Sequence, residues 1–475
     1  MAFCLATKSK HLLFKLQLFV NLLTPNIRFV GKFEPWGLTL LSTLVLLIAY
    51  LFTMPPSLTW AHWGADGGDL AVAVAKARLP HPPGFPTYLL FGAIFLQFPW
   101  GDPAWRLNLL SAFSGALAGG LTAAAIRHAS CSAFIAIIAG LSLGFAPLFW
   151  SQAIIAEVYA LAALFSAALL FTVLRPVPTW LQGILWGLGI GVHPTLIFLA
   201  PLIAGKNKST LCLVSFALLT VGLLYGPVLL AWGRAPSPWA DLSTPLGWWA
   251  YVSGRLYQGY PFGLPLTFWP RRLLALAGLM VRQFTPFGAL LALWGWVCLW
   301  RNRRSLAFNS AMAFSAFSLW SIGYNTTDSL VYLVPALPLT ILWMGEGLKA
   351  LAGRLRKAHD PFPWLLMIIP LLQILSSWGK ISLRGDRSAI EWAESILRKA
   401  PPAAVLITSS DPHTFTLWYV QEILGKRPDL VVIDKDLWWH KPYREMILKE
   451  LGMGEEETQF DELLNLLQRP VLEVK

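Results

Sequence analysis

The sequence predicts a multi-pass α-helical membrane protein of about eleven spans, carrying a small α/β domain at its C-terminal end. Three observations predict it. Apolar residues make up 56% of the 475 residues and charged residues only 13%, against about 25% charged in ordinary soluble domains. The charge is unevenly placed: residues 379–475 hold 16 acidic and 13 basic residues, whereas the first 378 hold 9 acidic and 24 basic. Apolar runs recur through that first part, at about the 20-residue length that a bilayer core demands. Together these exclude a soluble globular enzyme and a disordered chain. The net charge of +12 does not call for nucleic acid, because basic loops at the cytoplasmic face of a membrane give the same sum.

Residues 1–35 read as a basic cytoplasmic arm, with Lys8, Lys10, Lys15, Arg28 and Lys32 around short apolar stretches and no small-residue cleavage site. Residues 36–378 form the membrane domain. Its clear runs are 36–54, 107–126, 132–150, 158–174, 211–232, 284–300, 306–322, 330–348 and 362–378. Arg127, Arg175, Lys206, Lys208, Arg301, Arg303, Arg304, Lys349, Arg354, Arg356 and Lys357 fall between runs and belong inside by the positive-inside rule. Arg175 and Lys206 then share one side, so 177–205 must cross twice, turning at Gly191-Val192-His193-Pro194. This places the N-terminus inside and the C-terminal domain outside, with bacterial inner or plasma membrane as the expected setting.

The first external loop is 55–106, and its stretch 84–99 reads as a short helix lying against the membrane or dipping into it. A second external segment, 233–272, is rich in Trp, Tyr, Pro and Gly, which suits the interface. In the domain 379–475, residues 403–408 and 430–434 read as buried strands, and 412–424, 441–451 and 459–468 as helices. The four cysteines form no CxxC pair and none lies in this domain, so no disulfide framework or zinc site is read.

Chemistry is sought among the few acids of the membrane domain, since a carboxylate at or in a membrane is costly and marks function by default. The strongest cluster is Asp66-Gly67-Gly68-Asp69, two carboxylates three residues apart with glycines that let backbone approach a ligand; the bland reading is a solvated turn. A divalent cation bridging Asp66 and Asp69 is left open, and no other cofactor is expected. His81-Pro82-Pro83-Gly84-Phe85-Pro86 fixes His81 on a stiff backbone before a helix start. Arg106 and Asn108 stand where the next span begins; Arg106 can grip phosphate bidentately or snorkel. Gln152, Glu157 and Tyr159 mark the second external turn, where Glu157 also suits a helix N-terminus. His193 sits at the outer tip of two short helices, and Asp328 at a further outer turn. Asn325-Thr326-Thr327 fits a glycosylation sequon only weakly. No P-loop, GxGxxG before a helix, HExxH or GxSxG is present, so no nucleotide-binding engine is supported.

These segments resemble the protein O-mannosyltransferase-like membrane proteins of the GT-C glycosyltransferase superfamily. The resemblance rests on Asp66 to Asp69, His81 to Pro86, Arg106-Leu107-Asn108, Trp150-Ser151-Gln152, Glu157-Val158-Tyr159, His193 and Asp328, and reaches Asp411, Thr414-Phe415, Trp418-Tyr419 and Arg427-Pro428-Asp429. Where the family pattern is nearer D-S-G-E, this chain has Gly67 and Asp69; Pro412 and His413 replace polar residues of the pattern. The resemblance implies sugar transfer at the outer face, from a polyprenyl-phosphate sugar to a protein or glycan hydroxyl. Asp66 or Asp69 would act as base, and His81, Arg106, Asn108, Gln152, Glu157, Tyr159, His193 and Asp328 would bind substrate. Arg is preferred for the donor phosphate because its fork matches phosphate oxygens; Arg282 is the first candidate and Arg106 the second. A lipid-linked glycan ligase and a transporter or flippase are the alternatives.

Overall fold

The structure, a computed structural model, describes residues 35–129, 131–204, 209–355, 366–454, 459–467 and 469–474. The basic arm before Pro35 and the inward charges Lys206, Lys208, Arg356 and Lys357 lie outside the described residues.

Among the described residues six helices are long and apolar enough to cross a membrane: Trp36–Thr53, Pro103–His128, Thr210–Trp232, Leu266–Asn302, Arg304–Gly323 and Ser329–Arg354. Shorter apolar helices occupy Pro86–Phe95, Ala133–Gly144, Tyr159–Leu174, Thr179–Val192, Pro194–Ala204 and Ile368–Ile381. Helices therefore stand at every position where a span was expected, and the first of the short ones is the helix expected in the first external loop. Several start on proline at the first turn, where the missing N–H costs nothing. Asp102 caps Pro103–His128 by accepting from the Trp105 N–H at 2.8 Å, a good use for a carboxylate. Leucines remain on the outer surface, Leu211 at 80% and Leu375 at 79% exposure, as lipid-facing positions should.

Among the membrane helices one differs most from expectation. The span expected to begin at 284 belongs to a helix that runs from Trp269 to Asn302, bent at Thr285-Pro286, where Thr285 has φ 63°. Proline removes a ladder hydrogen bond and bends the axis without ending the helix. Arg271, Arg272 and Arg282 thus lie on this helix and not in a loop before it.

Without a hydrophobic drive between helices in lipid, close backbone approach through small residues holds a bundle together. The clearest case is Gly295 against Gly347: a Cβ on Gly295 would overlap the Trp343 carbonyl, and one on Gly347 the Leu291 carbonyl. We expect Gly295→Leu to push these two helices apart and lower the thermal unfolding midpoint in detergent. Overpacking of this kind costs about 1–3 kcal/mol or more. A midpoint equal to wild type would show that this crossing tolerates separation.

The turns gather at two ends. At one, Arg127 donates to the Cys131 carbonyl at 3.1 Å, Lys349 to the Ala129 carbonyl at 3.3 Å, and Arg175 covers the Trp36 ring. At the other lie the loop 55–102, the segment 233–268, the turns at Glu157, His193 and Asp328, and the C-terminal domain. That domain is built on a parallel three-stranded sheet of order β2-β1-β3, with β1 Val405–Thr408, β2 Val431–Asp434 and β3 Val471–Glu473. Val405 pairs with both Val431 and Val471. The fully buried VLIT and VVID runs form the expected strands. β3, and the helix Ser388–Lys399 on the sheet's flank, were not expected: β3 is short and half exposed, and the helix is too polar for an apolar-run reading. The helix expected over 412–424 runs Asp411–Trp418 and ends in a wider turn at Tyr419–Ile423.

Candidate active site

The C-terminal domain rests directly on the first loop. Asp386 accepts from the Thr59 hydroxyl, Thr416 from the Trp60 indole at 2.8 Å, and the Tyr419 hydroxyl from the Ala104 N–H at 3.2 Å. Arg78 pairs with Glu422 at 2.9 Å and lies over the Trp418 ring. The helix Gly67–Lys76 starts against this surface. A Cβ on Gly68 would collide with the Phe415 carbonyl, and one on Gly67 would come within 3.0 Å of Leu58 Cδ1. Gly68 thus lets backbone meet backbone between the two acids.

Asp66 stands at the N-cap of this helix and Asp69 in its first turn, where the helix dipole favours negative charge. Their surroundings differ sharply. Asp69 has no exposed side-chain surface. Its Oδ1 accepts from the Trp239 indole at 3.0 Å; its Oδ2 accepts from the His81 backbone N–H at 2.7 Å and from His81 Nδ1 at 2.9 Å. Asp66 keeps 34% of its side chain exposed and lies 3.5 Å from His81 Nε2. The imidazole is thus held between two carboxylates. Burial pulls its pKa down, but the charge of Asp66 and the bond to Asp69 outweigh burial and raise it to about 9. Loss of water raises the Asp66 carboxyl, opposed by the His81 cation and reinforced by Asp69 and Asp328.

Glu157 is buried at 2% exposure, and its Oε1 accepts the Asp66 N–H at 3.3 Å. Burial, then the charge of Asp66, pushes its carboxyl well above the usual range. Asp411, from the C-terminal domain, also faces Asp66, Asp69 and His81; loss of water and then Asp66 raise its carboxyl to about 7. Behind His81 runs an aromatic wall. Phe85 meets the His81 ring at 4.9 Å and stacks on His193 at 6.1 Å; His193 meets Tyr159 at 6.0 Å and Tyr332 at 5.5 Å. Tyr257 faces His81 at 6.4 Å.

The structure therefore brings together Asp66, Asp69, His81, Glu157, Tyr159, His193 and Asp328 from four separated stretches of chain. Asn108 and Gln152 lie beside them as braces: Asn108 Nδ2 donates to the Ser57 carbonyl at 3.0 Å, and Gln152 Nε2 to the His62 carbonyl at 2.7 Å. The latter holds a strained turn, His62 and Trp63 both having positive φ. Arg106 donates to the Leu96 carbonyl at 2.6 Å and to the Trp100 carbonyl at 3.2 Å, so its fork ties down the end of the Pro86–Phe95 helix. Arg282 is exposed on its helix, and none of the contacts named above involves it. Trp239, Tyr257 and Tyr332 were missed; Trp239 and Tyr257 lie in the aromatic external segment 233–272, and Tyr332 in the run 330–348 expected as a span. Among the described residues no group of three or more His, Cys, Asp or Glu side chains is arranged to hold a metal ion. The three N–H donors on Asp69 leave its oxygens poorly placed for a cation.

Residues 66–205 match the family described as the N-terminal domain of protein O-mannosyl-transferase TMEM260, and residues 389–445 match TMEM260-associated domain 2. Protein O-mannosyl-transferase TMEM260 of Mus musculus is 23% identical over 446 residues, 85% of this chain and 63% of the mouse protein. The Dictyostelium discoideum protein of the same name is 27% identical over 127 residues, 26% of this chain and 15% of that one. The chain thus spans less than two thirds of the length of these relatives. ArnT from Cupriavidus metallidurans, solved with undecaprenyl phosphate bound, superposes with a TM-score of 0.55 over 84% of this chain and 89% of ArnT, at 13% identity. Over these segments the chain is similar to the TMEM260 protein O-mannosyl-transferases. Its fold is similar to that of ArnT, and the matched segment 66–205 opens on Asp66 itself.

Proposed function

We propose that this protein transfers a sugar from a polyprenyl-phosphate donor to a hydroxyl of a protein or glycan at the outer face of a membrane. Asp66 is the general base. The observation that carries this reading is the contrast within the acidic pair. Asp69 is sealed and fully used as an acceptor, while Asp66 is open beside it with a raised carboxyl. A base must be reachable by the proton it takes and have a pKa nearer the working pH.

The chemistry balances simply. Asp66 takes the acceptor proton as the acceptor oxygen bonds to the sugar's anomeric carbon. The bond from that carbon to the donor oxygen breaks, and polyprenyl phosphate departs with the electron pair. A phosphate leaving group needs no strong acid, but its charge must be met. Arg282 remains the proposed phosphate ligand, exposed where a lipid-anchored group can reach it; Arg106 is disfavoured because its fork already serves two carbonyls. His193, Tyr159 and Tyr332 form the wall against which the sugar would lie. The basic end with Arg127, Arg175 and Lys349 is assigned to the cytoplasm, which puts Asp66 and the C-terminal domain outside. In support, ArnT was solved with a polyprenyl phosphate and the relatives are called O-mannosyl-transferases.

The test is incubation of the purified protein with a panel of labelled polyprenyl-phosphate sugars and membrane extract. Consumption of one donor, with label appearing on protein or glycan, is expected; a panel left wholly intact would refute the reading. The pH profile follows from the same groups. Turnover should rise through an apparent pKa above the usual carboxylate range as Asp66 ionises. His81, raised from its usual 6.5 to about 9, stays charged through neutral pH. Its pairing contributes fully below about 6.5 and is lost as the pH rises through about 9. A bell is expected, and His81→Gln should abolish its alkaline limb; a limb unmoved in that variant would assign it to another group.

A further inference from the structure

We infer that the C-terminal domain sets the geometry of the Asp69 and His81 pair, acting through Trp239 as a positioning residue. Trp239 is 2% exposed and stands at the junction of three parts of the molecule. Toward the pair, its indole N–H donates to Asp69 Oδ1 at 3.0 Å and its ring meets His81 edge-on at 6.1 Å. Toward the C-terminal domain, its ring packs on Phe415 at 5.9 Å and Trp418 at 6.2 Å, both edge-on. Its carbonyl accepts from His440 Nε2 at 2.9 Å; a carbonyl only accepts, so that nitrogen carries the proton.

The same segment braces His81 from behind. Ser237 Oγ donates to the Leu79 carbonyl at 3.3 Å, Trp239 N–H donates back to Ser237 Oγ at 3.2 Å, and the Tyr251 hydroxyl donates to the Pro80 carbonyl at 2.6 Å. The loop carrying His81 therefore hangs on the 237–251 segment, and that segment is fixed to the C-terminal domain by His440 and two rings. Asp69 alone cannot hold His81 in one orientation, because a carboxylate accepting two bonds at one oxygen still rotates about its other torsion. The Trp239 N–H at the second oxygen removes that freedom. A group that orients another without touching substrate acts through preorganisation, so its loss should reduce kcat more than donor binding.

Three variants of the full-length protein in detergent decide this, with hydrogen exchange of the 79–85 backbone as the first readout. Trp239→Phe keeps the ring and removes the N–H. His440→Ala removes the domain's bond to the Trp239 carbonyl, and His440→Gln restores a donor. Losing a bond to a charged acceptor should raise exchange at 79–85 roughly tenfold in Trp239→Phe. His440→Ala should raise it in the same peptide, and His440→Gln should bring it back, with exchange in β1 and β2 unchanged. The second readout is transfer from undecaprenyl-phosphate mannose: kcat should fall in Trp239→Phe and His440→Ala while KM for the lipid stays near wild type. Unchanged exchange at 79–85 in Trp239→Phe, or failure of His440→Gln to rescue, would overturn the inference. This rests on the proposed function only for the second readout. A wild-type protein that transfers nothing from that donor would count against that reading, and exchange would still decide the role of Trp239.

Discussion

Asp66→Asn should leave the protein folded and cut sugar transfer by about 10²-fold or more, the scale set by loss of a general base. The substitution keeps size and removes only the charge and proton affinity. Asp66 makes one ion pair, at 3.5 Å to His81 Nε2, with 34% of its side chain open. His81 is buried but keeps Asp69 as its closer partner at 2.9 Å, so the thermal midpoint should fall far less than in Asp69→Asn. The fold and the chemistry are thereby separable at this position. Wild-type turnover in Asp66→Asn would transfer the role to Asp411 or Glu157, the two other raised carboxyls that face the site.

Asp69→Asn should fail in the opposite manner, losing stability together with turnover. Asp69 accepts three hydrogen bonds in a fully buried position. Asparagine offers one acceptor oxygen, and its amide turns N–H donors toward donors already there. His81 then loses its partner while buried. Breaking one side of a buried charged pair costs about 3–5 kcal/mol, enough to lower the unfolding midpoint by several degrees in any domain of this size. Unfolding followed by tryptophan fluorescence checks it. A variant with wild-type midpoint and only reduced turnover would mean that the contrast drawn between the two acids is false.

Much of this was legible in the chain before its shape was known. Membrane helices announce themselves by composition, because lipid tolerates few charges over about 20 residues. The pair Asp66 and Asp69 and the rigid His81-Pro82-Pro83-Gly84 stretch stood out because acids are scarce here and prolines are directional. What the sequence does not carry is the division of labour between the two acids. That depends on Trp239, a residue 170 positions from Asp69, and on burial, which no local spacing encodes. Arg106 is a similar case: an arginine at a span start looks free until the Leu96 and Trp100 carbonyls, which follow the preceding helix, are found beneath it. The start of the Trp269–Asn302 helix was hidden because Thr285-Pro286 punctuates it like a boundary. Pro412 and His413 depart from the family pattern, whereas Asp411 beside them faces Asp66.

Sugar transfer has to be told from movement of an intact lipid-linked sugar across the bilayer. Proteoliposomes holding the protein, with labelled undecaprenyl-phosphate mannose in the membrane and acceptor protein supplied outside, separate the two. Label on the acceptor and free undecaprenyl phosphate are expected in equal amounts, only when acceptor is present, with about 10²-fold less of both for Asp66→Asn. Intact labelled donor appearing in the opposite leaflet, with no label on the acceptor and no undecaprenyl phosphate released, would contradict it.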